Sequence, residues 1–316
     1  MAFKGIDFVP HGTKIPFVSM RNIAFILSGL AMLASIALFS TKGLNYGIDF
    51  LGGTSIEVRH KAGPANIADV RRQVGGLGFG DVQIQQFNDP RDVLVRIELQ
   101  SGGEEANQKA LDKIKVALGD GFEFRNTEVI GPTVSGELTR AGIIAVITAI
   151  FVVLIYIWLR FEWQFSLGAV IALVHDIVLT IGIFSLLQLE FTLSIIAALL
   201  TIVGYSLNDT VVVYDRVREN LRKFKKMPLN ELLDVSINET LSRTILTSVT
   251  TLIALVSLFV FGGEVIRGFV FAMIWGVVVG TYSSIFIASP VLLLVGVKRD
   301  WSGLGGAKYK EPSTAK

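Results

Sequence analysis

Six long apolar runs separated by charged segments set the pattern of this chain. Residues 22–41, 141–159, 244–263 and 268–297 contain no Asp, Glu, Lys, Arg or His. Runs 163–189 and 191–214 are equally apolar but enclose His175 with Asp176 and Asn208 with Asp209. Each run reaches the roughly 17–25 residues that a helix needs to cross a bilayer. The pattern therefore predicts six membrane helices, the last long enough to tilt or to end in the interface near Pro290.

Between the first and second runs the period changes. Residues 55–59 alternate as a strand after Gly52-Gly53, and 64–74 has helical spacing with Ile67, Val70 and Val74 on one face. Residues 82–87 and 93–99 alternate across an Asn88-Asp89-Pro90 turn. Residues 104–118 are helical again, with Leu111, Ile114 and Leu118 facing inward, and 122–129 is a last strand. The order β-α-β-β-α-β predicts one ferredoxin-like α+β domain of about a hundred residues. That fold hosts many functions and names none. The expected division is a tail and first helix over 1–41, the soluble domain over 42–139, a five-helix bundle over 140–297 with a basic loop at 215–243, and a tail over 298–316.

Composition agrees with a membrane protein. Mean hydropathy is +0.58, with 51% hydrophobic and 18% charged residues, too apolar for an ordinary soluble domain. A net charge of +2 implies no acidic partner, and no basic-aromatic pattern points to nucleic acid. The chain has no cysteine, which excludes disulfides and thiolate metal sites. Residues 42–139 carry no P-loop, no HExxH and no metal-ligand cluster, so a binding or mechanical role is expected there rather than catalysis.

Short-loop charges set an expected orientation. Arg160 lies between runs two and three; Arg216, Arg218, Arg222, Lys223, Lys225 and Lys226 lie between four and five; Lys298 and Arg299 follow six. Residues 187–190 have no basic residue and 262–267 have one. The positive-inside rule then puts both termini in the cytoplasm and the domain after the first helix outside. The basic loop is a topology determinant and a contact for lipid headgroups. Lys4, Lys14 and Arg21 before the first run resemble a signal-peptide n-region, but the run exceeds the usual ~7–15-residue apolar core, which favours a retained helix.

Asp209 is the residue that most needs explaining. A charged side chain at membrane depth costs at least ~2.5–3.5 kcal/mol, so an intramembrane carboxylate is a functional-site hypothesis by default. Arg243, where the fifth helix enters, lies where it could meet Asp209 at similar depth on an antiparallel neighbour. An opposing arginine favours an ionised carboxylate and burial a protonated one, the competition a switchable proton site requires; a static ion pair is the alternative. His175 and Asp176 fall mid-helix and point about 100° apart, so they are not expected to share a direction. Each is a candidate for proton relay or for packing. Gly204, Ser206 and Asn208 suggest a loose, polar approach to Asp209, or plain close packing. Gly276, Gly280, Ser284 and Ala288 form a small-residue face for another helix. Gly204-Tyr205-Ser206 with His175 raises an intramembrane serine protease, but no second glycine follows to form an elbow.

Several motifs together resemble one family. Gly47-Ile48-Asp49-Phe50-Leu51-Gly52-Gly53-Thr54 follows the first helix. Gly131-Pro132-Thr133-Val134 with Glu137-Leu138, Arg160-Phe161-Glu162-Trp163 and His175-Asp176 come next. Gly204-Tyr205-Ser206-Leu207-Asn208-Asp209-Thr210 runs on to Asp215-Arg216, and Arg218-Glu219-Asn220 and Arg243-Thr244 complete the series. In order and wording these resemble the SecD/SecF protein-export family, in its shorter SecF-type branch; Ser135 stands where that family often has glycine.

The resemblance implies pairing with SecD as pseudo-symmetric six-helix halves of the resistance-nodulation-division kind, in a bacterial inner membrane. It implies association with the SecYEG channel and YajC, and preproteins pulled outward in extended form by the proton-motive force. The proton is then the coupling ion, with no other cofactor and no catalytic or metal residue. Proton conduction falls to Asp209 and Arg243, with Asn208, Asp176 and His175 beside them. Asp49, Gly52, Gly53, Gly131 and Pro132 connect the outside domain to the helices. A half-unit of a proton-driven small-molecule exporter and a non-conducting scaffold are the competing readings.

Overall fold

The computed structural model describes residues 10, 12–80, 82–86, 89–263 and 265–297. Lys4, Phe87, Asn88, Lys298, Arg299 and the tail to residue 316 lie outside them. Among the described residues six helices are long and apolar enough to cross a membrane. After a single 3-10 turn (Phe17–Met20), α1 spans Arg21–Lys42 and stops at Gly43, whose φ of 68° a side chain would strain. Strand β1 (Asn45–Tyr46) and the one-turn helix α2 (Ile48–Leu51) lead into the sheet.

The sheet unit runs β2 (Gly53–His60), α3 (Ile67–Gly75), β3 (Val82–Gln86), β4 (Asp92–Ile97), α4 (Gly103–Leu118) and β5 (Phe122–Ile130). Strand order is β3-β4-β2-β5, with every neighbour antiparallel. Alternate residues point to opposite faces of a strand, so Ile56, Val58, Ile84, Val93, Val95 and Ile97 make one apolar face. Val70 and Val74 of α3 and Leu111, Ile114 and Leu118 of α4 cover it. Asn66 starts α3 by accepting the Ala68 N–H at 3.0 Å. The other face carries Ser55, Glu57, Leu94 and Arg96.

Strand β5 passes into α5 (Pro132–Arg160) through Gly131 alone. Proline in the first turn has no N–H to waste and a φ already suited to helix. The joint at Gly131 and Pro132 is therefore a direct strand-to-helix passage, and the helix begins before residue 140, where composition places the bundle. Helix α6 (Trp163–Leu187), β6 (Glu190–Phe191), α7 (Leu193–Lys223), α8 (Leu229–Phe261), α9 (Arg267–Ser283), a π-turn (Ser284–Ala288) and α10 (Ser289–Val295) follow. Strands β1 and β6 pair in parallel, tying the segment after α1 to the α6–α7 connection.

The basic segment 215–243 is not a loop. Helix α7 continues to Lys223 and α8 starts at Leu229, because Val217 and Leu221 keep the helical stripe going against Leu232, Leu233 and Ile237. Only 224–228 turns the chain. Two apolar cores divide the bundle: Phe161, Phe165, Tyr214 and Leu292 at the end away from the sheet, and Phe184, Phe191, Ile202 and Met273 toward it. The α9–π–α10 helix is the most enclosed span, whereas α1, α5 and α8 leave most side chains outward.

Candidate functional site

The small-residue stripe of the last span is laid along α7. A side chain at Gly276 would collide with Ile202, and one at Gly280 would lie 3.0 Å from the Ser206 Cβ. One turn further Ser284 meets Asp209, and one turn beyond that the Ala288 carbonyl accepts the Tyr214 hydroxyl at 2.9 Å. Absent side chains thus bring two backbones close enough for short polar groups to reach each other.

Asp209 is buried and accepts two hydroxyls, Thr244 Oγ1 of α8 at 2.6 Å on Oδ1 and Ser284 Oγ on Oδ2. Asp176, fully buried on α6, accepts Ser206 Oγ at 2.5 Å and Ser283 Oγ at 2.8 Å, both on Oδ2. Its other oxygen pairs with the His175 Nδ1 at 2.9 Å. His175 therefore does share a direction with Asp176: their Cα–Cβ bonds diverge, but the imidazole swings round the helix to the carboxylate of its neighbour. The His175 ring stacks on Tyr282, whose hydroxyl bonds Ser28 of α1 at 3.0 Å. His175 Nε2 is buried and has no partner among the described residues.

Ser283 and Ser284 are consecutive yet serve different carboxylates. The π-turn makes this possible by overwidening the last span where α9 ends. Pro290, in the first turn of α10, has no N–H to donate to the Phe286 carbonyl as an α ladder would need, and Ser289 Oγ donates to the Ser284 carbonyl at 2.9 Å. π-turns concentrate at functional sites. Each serine also has a second acceptor one turn back: Gly280 O at 3.2 Å for Ser283 and Thr281 O at 3.0 Å for Ser284. An ionised Asp209 accepts from Ser284; a protonated one can donate to it while Ser284 turns to Thr281 O. The two acceptors would let a proton gained at Asp209 reorient the Ser284 hydroxyl.

Other expected contacts fall elsewhere. Arg243 is exposed on α8 and within electrostatic reach of Asp209, but no ion pair joins them; Thr244, one residue on and about 100° round the helix, faces the carboxylate instead. Helix α7 is unbroken: Gly204 and Asn208, four residues apart, face outward, while Ser206 and Asp209 face inward. Tyr205 is half-buried and its hydroxyl has no partner among the described residues. Ser206 and His175 are not a nucleophile and base, since both are committed to Asp176. Asp215 meets Arg160 at 3.1 Å, and Arg216 meets Glu219 at 2.9 Å, so these signature residues brace α5 and α7 beyond the apolar stretch.

Asp49 accepts the Leu193 N–H at 2.8 Å and so caps α7. Gly52 and Gly53 have φ of 72° and 119°, and a side chain at Gly53 would meet the Ile97 carbonyl; only glycine fits there. Ser135 Oγ lies 3.4 Å from where a Gly52 Cβ would be. The hydroxyl donors Thr244, Ser283 and Ser284 are residues that charge counting passes over. Their signal is adjacent hydroxyls in an otherwise charge-free run.

The motifs that build this geometry also recur in known proteins. Residues 110–298 match the family model "Protein export membrane protein SecD/SecF, C-terminal", and residues 37–59 match the "SecD/SecF GG Motif". A protein translocase subunit SecF of Cereibacter sphaeroides is 47% identical over 308 residues, covering 95% of this chain and 94% of that protein. A protein translocase subunit SecDF of Brucella abortus is 44% identical, covering 96% of this chain and 40% of that one. The crystal structure of SecDF, a translocon-associated membrane protein from Thermus thermophilus, superposes with a TM-score of 0.81 at 35% identity. That match covers 90% of this chain and 39% of the solved one, so the chain spans about two fifths of a fused SecDF. With the GG segment holding α7 and the C-terminal model spanning both buried carboxylates, the chain belongs to the SecD/SecF protein-export family.

Proposed function

We propose that this chain is the SecF-type half of a Sec export complex that uses the proton-motive force to complete translocation of preproteins. The observation that carries this reading is a pair of buried carboxylates, Asp176 and Asp209, each held by its own two hydroxyls, with the two sets adjoining at the neighbouring Ser283 and Ser284. Its proton is the coupling ion, and no metal or organic cofactor takes part. A proton falling through ~100 mV releases ~2.3 kcal/mol, enough to exchange hydroxyl partners and repack α7 against α8. Asp209 is the main proton carrier, with Asp176 and His175 as a linked second station; Arg243 and Asn208 act from the outward side.

SecD is the other half. A fused relative supports that pairing. So does the outward stripe of α7, where Ala197, Thr201, Gly204 and Asn208 give small and polar groups rather than the large apolar groups that face lipid well. The remaining features are those the resemblance implies: a bacterial inner membrane, both termini cytoplasmic, a periplasmic ferredoxin-like sheet unit that handles preproteins in extended form, and contact with SecYEG, YajC and lipid. The β-α-β-β-α-β order with a 3-4-2-5 sheet supports that fold type.

The test is gradient-stimulated export in vesicles holding this chain with its partners. Asp209→Asn should assemble normally and lose the stimulation. Wild-type stimulation in that variant would make the carboxylate structural and the subunit a scaffold.

A further inference from the structure

Besides its chain connections at Gly52-Gly53 and Gly131, the sheet unit is fastened to the bundle by a side-chain contact. Glu190, in β6 between α6 and α7, forms an ion pair with Arg96 of β4. Arg96 is almost fully enclosed; the ion pair is made by its Nη2, and its Nε has no hydrogen-bond partner among the described residues. A buried guanidinium needs such a counter-charge, since removing one member of a buried pair is far costlier than the pair is worth. Around the pair the backbones are locked together: Gly47 N–H donates to Phe191 O at 2.8 Å, Ser185 Oγ to Gly43 O at 2.8 Å, and Leu193 N–H to Asp49.

Gly47 has a φ of −74°, which any residue adopts, yet a Cβ there would lie 2.7 Å from Glu190 Oε1. Glycine there leaves room for the Glu190 carboxylate and for Thr192, whose Cγ2 would lie 2.9 Å from the same Cβ.

We propose that Arg96, Glu190 and Asp49 are positioning residues of the export reaction, fastening the sheet to the first turn of α7 so that sheet and helix move as one body. Helix α7 carries Asp209 sixteen residues beyond Leu193, and a continuous helix transmits displacement along its axis. Asp49 holds its end from the GG segment; Glu190 holds it from the sheet. The inference rests on the reading that proton binding at Asp209 moves α7, and it names the parts that carry the movement outward.

The test uses the whole complex, in lipid discs for distances and in sealed vesicles for gradient-stimulated export. The chain has no cysteine, so with cysteine-free partners, spin labels on Val116→Cys, exposed on α4, and Leu187→Cys, at the exposed end of α6, report the sheet-to-bundle distance. Without a gradient, wild type and Asp209→Asn should give one narrow distance distribution. Arg96→Met and the isosteric Glu190→Gln should each broaden it and lose gradient-stimulated export. Because Glu190→Gln keeps the side-chain shape, a folding failure of Arg96→Met does not decide the matter. An unbroadened distribution in Glu190→Gln, or full export despite broadening, overturns the proposal. Failure of the proton reading would appear separately, as stimulated export in Asp209→Asn.

Discussion

Ser283 and Ser284, neighbours in sequence, donate to different buried carboxylates, Asp176 and Asp209. This sets the two hydroxyl-held acids side by side along the last span, although different helices contribute them. Ser284→Ala leaves Asp209 with Thr244 as its hydroxyl partner. Losing a hydrogen bond to a buried charged group costs about 1–3 kcal/mol, and the gradient-stimulated part of export should fall several-fold. Ser284→Thr keeps a hydroxyl and should retain most of it. Equal export in both variants would show that the hydroxyl takes no part.

Arg243 lies outside the hydrogen-bonded cluster. Exposed substitutions away from special features change stability by no more than about 0.5 kcal/mol, so Arg243→Met should leave the thermal unfolding of the isolated chain unchanged. Under the proposed function, in which Arg243 acts from the outward side of the site, export by the complex should nevertheless fall. A lowered unfolding temperature in the isolated chain would instead make Arg243 part of this subunit's own core.

The glycines separate by what they touch. Gly276 and Gly280 face Ile202 and Ser206, so Gly276→Leu forces α9 from α7 and should destabilise the isolated chain by roughly 1–3 kcal/mol, the usual cost of overpacking. Gly204 sits mid-helix, and nothing lies within 4 Å of the position its Cβ would take. Gly204→Ala should therefore stabilise the isolated chain by about 0.5–1 kcal/mol, while Gly204→Leu should impair assembly with the partner half. Detergent unfolding of the isolated chain and co-purification of the partner read the two effects separately.

Much of the architecture is legible in the sequence because membrane helices announce themselves by long charge-free runs, and the strands at 55–59 and 122–129 by alternation. The site is less so. Asp209 and Asp176 stand out as charges in apolar runs, but which groups they meet depends on rotation of each helix about its axis. One residue of rotation decides between Arg243 and Thr244. The π-turn that lets Ser283 and Ser284 reach two acids is a backbone irregularity that spacing alone does not show. Segment 215–243 departs from expectation for a related reason: its charge count suggests a loop, whereas Val217, Leu221, Leu232 and Leu233 carry a helical stripe through it.

The Glu190 joint gives a pH dependence with a definite sign. Burial raises the Glu190 carboxyl above the usual carboxylate range; Arg96 pulls it back, and the charges of Asp49 and Glu128 push it up again. Burial likewise lowers the Arg96 guanidinium, against the pull of Glu190. Glu57 and Arg267 line the adjoining clefts. A raised folded-state value means that the native chain binds this proton more readily than the unfolded chain. Glu190 therefore adds stability below the ordinary carboxylate range and loses that contribution as pH rises through its own elevated value. In the same window the loss of charge at low pH weakens the pull on Arg96. Glu190→Gln should flatten that part of the stability-against-pH curve, measured by denaturant unfolding in detergent. The same slope in both proteins would show that Glu190 is not the group responsible.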